Sequence, residues 1–464
     1  MNKRLFAFVL TIWLALFIPH IPVNAAVKAG SACKILGMTT IDSGKTFKCI
    51  KSGNKLIWDK GNVTNSSNST YKDAYSPPNR VTDNIEKCKI NEVKVNGPRA
   101  SKQLLPTGFP SVTPQIQNTG TVKWAIIPID FPDLKGDIGF KSRIDNQMKL
   151  LSEWYSTVSE GRFNVEWSVL DNWVTLPQST SNYSMQNSGN LVDGSNGAKL
   201  FKDAMTASDP LFDFTNIQTV NFILPKGQKF VSESIQGFPS DDLVNNLSTN
   251  EGKISSFSIA GSFFDQIGRE YWSYWAHEFG HAISIAHVGS SRGETPPFSP
   301  FTLMGAQDGP SRELAGWLRF LENWLPDEKI YCKEKSNVNN DLVTLVPLSS
   351  SSVGLKMVVV PLSETKAVII ESRRFTKFSC GITSKNGVLV YTYDANLVHN
   401  EDFLMPIYPA NRSKEYNNTR TRPCAQAPIA DPLLYQGDKV VVDGVKIENL
   451  VHGNFDKVRI SKVS

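Results

Sequence analysis

Histidine is scarce in this chain, and the scarcity makes its placement informative. There are six, at positions 20, 277, 281, 287, 399 and 452. Charge of one sign is also scarce. The net charge is +5 and evenly spread, which gives mild attraction to anionic surfaces and nothing more specific. No basic stretch is interleaved with aromatics, so nothing argues for nucleic-acid binding and no nucleic-acid partner is expected. The cysteines number six, and none has the CxxC spacing of a zinc ribbon or a dithiol redox site. Beyond the N-terminus no apolar run is long enough for a transmembrane helix.

What is present begins with a leader. Lys3 and Arg4 precede an apolar run from Leu5 to Ile18, and Val23-Asn24-Ala25 offers small residues for cleavage. This pattern predicts a signal peptide over 1–25 and a secreted or cell-surface protein, bacterial in origin, with no transmembrane segment in the mature chain. The run is shorter than the ~20 residues that span a bilayer. An oxidising compartment and an even number of cysteines predict disulfides. Cys33 with Cys49 is the first expectation, because both lie in one short segment, and Cys380 with Cys424 the second. Cys88 is read as a half-cystine in preference to a thiolate that covers a metal.

About 440 residues follow the leader, more than one core holds. Residues 26–60 read as a small disulfide module with candidate contact to the cell envelope. The polar stretch 61–94 reads as a linker; it carries three N-x-[ST] triplets, at Asn62, Asn65 and Asn68, taken as linker composition. Strands over 122–131, 163–170 and 220–224 alternate with a helix over 143–156, so 95–326 reads as an α+β catalytic domain. Short β-rich runs at 342–346, 357–360, 367–371, 388–391 and 440–442 follow, so 327–464 reads as an all-β, sandwich-like domain.

Three of the histidines fall within eleven residues, His277-Glu278-Phe279-Gly280-His281-Ala282-Ile283-Ser284-Ile285-Ala286-His287. On a helix predicted over 263–283, His277 and His281 lie one turn apart on one face and can grip one metal ion. A turn after His281 brings in His287. Three protein ligands and one open position describe a catalytic zinc site. Glu278 is placed to take a proton from water activated by that metal.

The segment His277-Glu278-x-x-His281-x-x-Ser284-x-x-His287 resembles the extended zinc motif of the metzincin metallopeptidases, and Phe301-Thr302-Leu303-Met304-Gly305 is similar to their Met-turn. The Ala315-Gly316-Trp317, Ile129-Asp130-Phe131-Pro132-Asp133 and Ser156–Phe163 segments resemble immune inhibitor A (M6) peptidases, as do the strand motifs at Ile370–Arg373 and Gly387–Asp394. The likeness spans roughly residues 120 to 445. It implies a metzincin-like zincin domain with Met304 beneath the metal. Two positions depart from the pattern. Metzincins usually carry glycine where Ser284 stands, and many immune inhibitor A peptidases carry aspartate at the position of His287.

The resulting expectation is a secreted zinc metalloendopeptidase. His277, His281 and His287 hold the metal, Glu278 is the general base, and a protein or peptide is the substrate. Asp130 and Asp133 are candidate calcium ligands, set against a turn-fixing role. The alternative is an exported envelope-binding protein whose degenerate peptidase domain keeps a structural metal. A zinc amidase of cell-wall peptides shares the chemistry.

Overall fold

Apolar runs buried on both faces set the architecture. The computed structural model describes residues 28–33, 39–42, 45–60, 62–63, 82–112, 114, 116–184, 195–232, 235–237, 249–266, 269–289, 298–309, 311–379, 386–412, 414 and 431–463. The expected leader, most of the linker and the Cys380–Cys424 pairing lie outside these residues. The chain divides into two compact units, Met1–Ser76 and Pro77–Ser464.

The first unit is an antiparallel sheet of β1 (Thr39–Asp42), β2 (Lys45–Ser52), β3 (Lys55–Trp58) and β4 (Asn62–Val63), with β2 paired to the other three. Cys33 and Cys49 are disulfide-bonded, with their Cα atoms 5.9 Å apart. Among its described residues the sheet buries Phe47 and Cys49, and the cystine supplies the staple that so small a unit needs.

The second unit is a mixed α/β structure with few helices. Its elements in order are β5 (Gly120–Asp130), α1 (Phe140–Val158), β6 (Phe163–Val169), β7 (Val174–Thr175), α2 (Asn196–Ser208), β8 (Thr219–Ile223), β9 (Ile235–Gly237), β10 (Ser256–Ile259), α3 (Tyr271–Ala282) and α4 (Gly316–Leu321). There follow β11 (Ile330–Cys332), β12 (Asp341–Leu345), β13 (Met357–Pro361), β14 (Lys366–Arg373), β15 (Gly387–Asp394), β16 (Leu404–Pro406), β17 (Leu433–Leu434), β18 (Lys439–Val442), β19 (Val445–His452) and β20 (Asp456–Lys462).

The first of its sheets runs β6-β5-β8-β10-β9. It is parallel except for β9, which lies antiparallel on β10. Val122, Trp124 and Ile126 of β5 face a core shared with α1 and α3. The alternate residues Ala125, Ile127 and Ile129 face a second core shared with α2. A strand covered on both faces reads as a continuous apolar run, as β5 does.

The β-rich region contains two sheets, β11-β13-β14-β15-β16 and β12-β20-β19-β18. Val358, Val360, Val368 and Ile370 share one core with Ile447, Val458 and Ile460 of the second sheet. Their alternates Met357, Val359, Ala367 and Ile369 share the α1–α3–α4 core. The same central strands therefore form one half of a sandwich and also the floor beneath the helices.

Two expectations change in detail. The helix that carries the histidines begins at Tyr271 rather than 263; Ser262–Asp265 form a separate 3-10 turn, and 267–268 lie outside the described residues. Cys88 is disulfide-bonded to Cys332, with Cα atoms 5.8 Å apart, and both sulfurs are buried. A thiolate at residue 88 is therefore not available to cover a metal.

Candidate metal centre

Helix α3 has no capping side chain of its own. Instead Gln147 of α1 accepts a hydrogen bond from the Trp272 N–H at 3.0 Å, which satisfies one of the orphan donors of a first turn. One turn further on, the Tyr155 hydroxyl of α1 donates to the Ala276 carbonyl at 2.8 Å. The aromatics of α3 are buried against α1 and β5. Within α3 only Glu278 and His281 keep partial access. Three residues apart, they mark the one open side of the helix.

His277 and His281 have ring centroids 4.9 Å apart. The Nδ1 atom of His277 lies 2.8 Å from the Leu303 carbonyl, and that of His281 lies 2.9 Å from the Ile285 carbonyl. A carbonyl can only accept, so each Nδ1 carries the ring proton and each Nε2 keeps its lone pair. This is the outer-shell arrangement that fixes tautomer and ring angle in metal-binding histidines.

The helix ends in a Schellman motif. Ile285 N–H bonds to the Gly280 carbonyl at 2.8 Å and Ser284 N–H to the His281 carbonyl at 3.0 Å, the paired bonds of that cap. Ser284 occupies its left-handed position with φ +81°. It therefore makes the turn that glycine makes more cheaply, and the chain reverses. His287 arrives with its ring centroid 5.1 Å from His277 and 5.9 Å from His281.

Met304 lies below. A Cβ placed on Gly280 would sit 3.1 Å from the Met304 sulfur, so the thioether packs directly beneath the turn between the two helical histidines. Its own carbonyl accepts from Val288 N–H at 2.9 Å. One short turn thus holds two things. Leu303 orients the His277 ring, and Met304 anchors the segment just past His287. Ion pairs of Arg269 with Asp308 and of Arg312 with Glu270 tie the following loop to the residues that enter α3.

Zinc–nitrogen bonds of ~2.1 Å at tetrahedral angles set three ring centroids roughly 5 Å apart. The observed separations, 4.9, 5.1 and 5.9 Å, match that spacing. Among the described residues no group of three or more His, Cys, Asp or Glu is drawn close enough to hold an ion as it stands. The fit is therefore one of donor type and ring spacing for the three histidines, and of tautomer for His277 and His281. Burial, then the neighbouring rings of His281 and His287, hold His277 neutral well below the usual range. Burial lowers His281 to about 4. Neutral imidazoles are what a metal requires. Burial pushes the Glu278 carboxyl up to about 7.

Other candidates have structural duties. Asp130 accepts from the Thr175 hydroxyl at 2.6 Å and Gly136 N–H at 3.1 Å, and Asp133 accepts from Thr180. These bonds fix turns and lend no support to calcium. Buried Glu371 accepts from Gly316 N–H and the Tyr391 hydroxyl and pairs with Arg373. One residue at the centre had no sequence signal. His399, in the loop between β15 and β16, has its ring 5.6 Å from His281 and 6.2 Å from His287.

No family model matches the chain, and no curated protein matches it. Solved structures with a remote likeness include wild-type OgpA from Akkermansia muciniphila, at 10% identity and TM-score 0.27, covering 66% of this chain and 96% of that one. Catalytically inactive OgpA in complex with an O-glycopeptide substrate gives the same identity and TM-score, with 66% and 93% covered. Metalloproteinase-II from Bacteroides fragilis gives 13% identity and TM-score 0.26, with 61% and 78% covered.

Proposed function

We propose that the chain is an exported zinc-dependent endopeptidase acting on protein or peptide substrates, with the immune inhibitor A-type metzincins as its suggested kin. The observation that carries this reading is the pair of Nδ1-to-carbonyl bonds at His277 and His281, with His287 folded back beside them. His277, His281 and His287 would hold the metal through nitrogen. When bound, zinc supplies Lewis acidity that polarises a peptide carbonyl and lowers the pKa of water toward ~7.

The chain's own residues do the rest. The carbonyls of Leu303 and Ile285 keep the two helical rings turned to one point. Glu278, on the open side of α3, takes a proton from the attacking water and passes it to the leaving nitrogen. Its raised pKa suits a group that must both accept and release that proton. Met304 fills the space under the rings and bars water from below.

The alternative, an envelope-binding protein with a structural metal, drew its support from Ser284. Since Ser284 makes the turn in the left-handed conformation, that support lapses, and a pure binder has no use for Glu278. The test is direct. Glu278→Ala is expected to keep its zinc and to lose casein hydrolysis by several orders of magnitude, and a chelator should abolish activity in the parent. A fully active Glu278→Ala protein, or a parent that contains zinc and cleaves no peptide, would end the reading.

A further inference from the structure

The loop between β15 and β16 is unusually well braced. Asn400 N–H bonds to the His287 carbonyl at 3.1 Å, and Gly289 N–H to the Glu401 carbonyl at 3.1 Å. Arg99 forks onto the Glu401 carboxylate and the Asn396 carbonyl. Val398 N–H donates to Glu401 at 3.1 Å, the Thr107 hydroxyl to the Leu397 carbonyl at 3.1 Å, and Val93 N–H to the Ala395 carbonyl at 3.1 Å. His399 sits at the centre of this frame.

Its ring is oriented by one diagnostic bond. The main-chain N–H of His287 donates to Nδ1 of His399 at 2.9 Å. An amide can only donate, so Nδ1 spends its lone pair there, and in the neutral ring the proton is on Nε2. Such a ring has no lone pair left for a metal. This is the reverse of His277 and His281, whose Nδ1 atoms face carbonyls. Of the four histidines that stand together, His277 and His281 are turned for ligation and His399 for hydrogen-bond donation.

We propose that His399 is a catalytic residue of the β-rich region, donating its Nε2–H to the oxygen of the scissile carbonyl as that oxygen gains negative charge. The proposal rests on the peptidase reading above. As the water oxygen bonds to the carbonyl carbon, the C=O π pair moves onto oxygen. Glu278 receives the water proton. When the pair returns, the C–N bond breaks and the amine leaves with the proton from Glu278. His399 contributes a hydrogen bond throughout and transfers no proton. A donor held in place before the charge develops costs no reorganisation at the moment of reaction.

Three measurements on the full-length protein test this. His399→Ala should retain zinc, while His281→Ala loses it; a His399→Ala protein that loses zinc as completely as His281→Ala would make His399 a ligand and overturn the proposal. Nitrogen-15 spectra of the histidine rings should give His399 the Nε2–H tautomer, and the opposite tautomer would overturn it. In steady-state kinetics His399→Ala should lower kcat by about 100-fold with little change in KM, and His399→Gln, which keeps an N–H donor, should recover part of that loss. An active parent whose His399→Ala variant stays within about threefold in kcat would sink the role of His399 alone. A zinc-loaded parent that cleaves no peptide would instead sink the peptidase reading.

Discussion

Ser284 is where one residue's conformation decides whether the third histidine reaches the site. A side chain with Cβ in the left-handed region costs ~1 kcal/mol or more relative to glycine. Ser284→Gly is therefore expected to raise stability by about 1 kcal/mol and to leave zinc content unchanged; denaturant midpoints with metal analysis check this. Ser284→Val should lose both stability and the third ligand. Glu322 offers a second residue-level prediction. It is buried, accepts from Asn118 at 2.8 Å, and burial pushes its carboxyl up to about 8 from an ordinary 4.5. Between these values the folded state keeps a proton that the unfolded chain has released. Its stabilising contribution is thus complete below 4.5 and lost as pH rises through about 8. Glu322→Gln should flatten the fall in stability across that window, and an unaltered pH slope would refute the assignment.

At the scale of elements, much was readable and the exceptions have physical causes. Strand β5 and helix α1 carry strong periodicity: β5 starts and ends slightly before the expected 122–131, and α1 extends the expected 143–156 by a few residues at each end. The start of α3 was misread because apolar residues near helical spacing continue upstream. The chain there forms a 3-10 turn, and the true start is set by Gln147, a side chain more than a hundred residues away. Helix α2 carried no expectation at all, although Ser195 caps it by accepting from Ala198 N–H at 3.1 Å. The placements of His277, Glu278 and His281 were legible because helical spacing carries them, and that of Met304 through the resemblance to a Met-turn. His399 was not, since a lone histidine in a loop has no local signature; only the fold brings it to His287.

At the largest scale, the second unit is tied by contacts of long sequence separation. Cys88–Cys332 closes a loop of 244 residues, and with six cysteines the pairing was not deducible from order alone. Replacing both by serine should lower unfolding free energy by about 2–4 kcal/mol, measured by denaturant titration, with zinc content retained; an unchanged midpoint would show that the bond constrains nothing. The central strands of the β-rich region, apolar on both faces, were read as one half of a sandwich. Their second duty, flooring the helices, explains why Met357, Val359, Ala367 and Ile369 are as fully buried as their alternates.

The ties between 287–289 and 399–401 also order events in time. During synthesis α3 emerges more than a hundred residues before the loop that holds His287 and supplies His399. A nascent chain halted before residue 399 would own two of the three histidine ligands in a ready helix, but neither the clamp on the third nor the donor beside it. On the peptidase reading, hydrolytic competence would then arrive late and all at once, only when the loop after β15 has been made and has closed on His287.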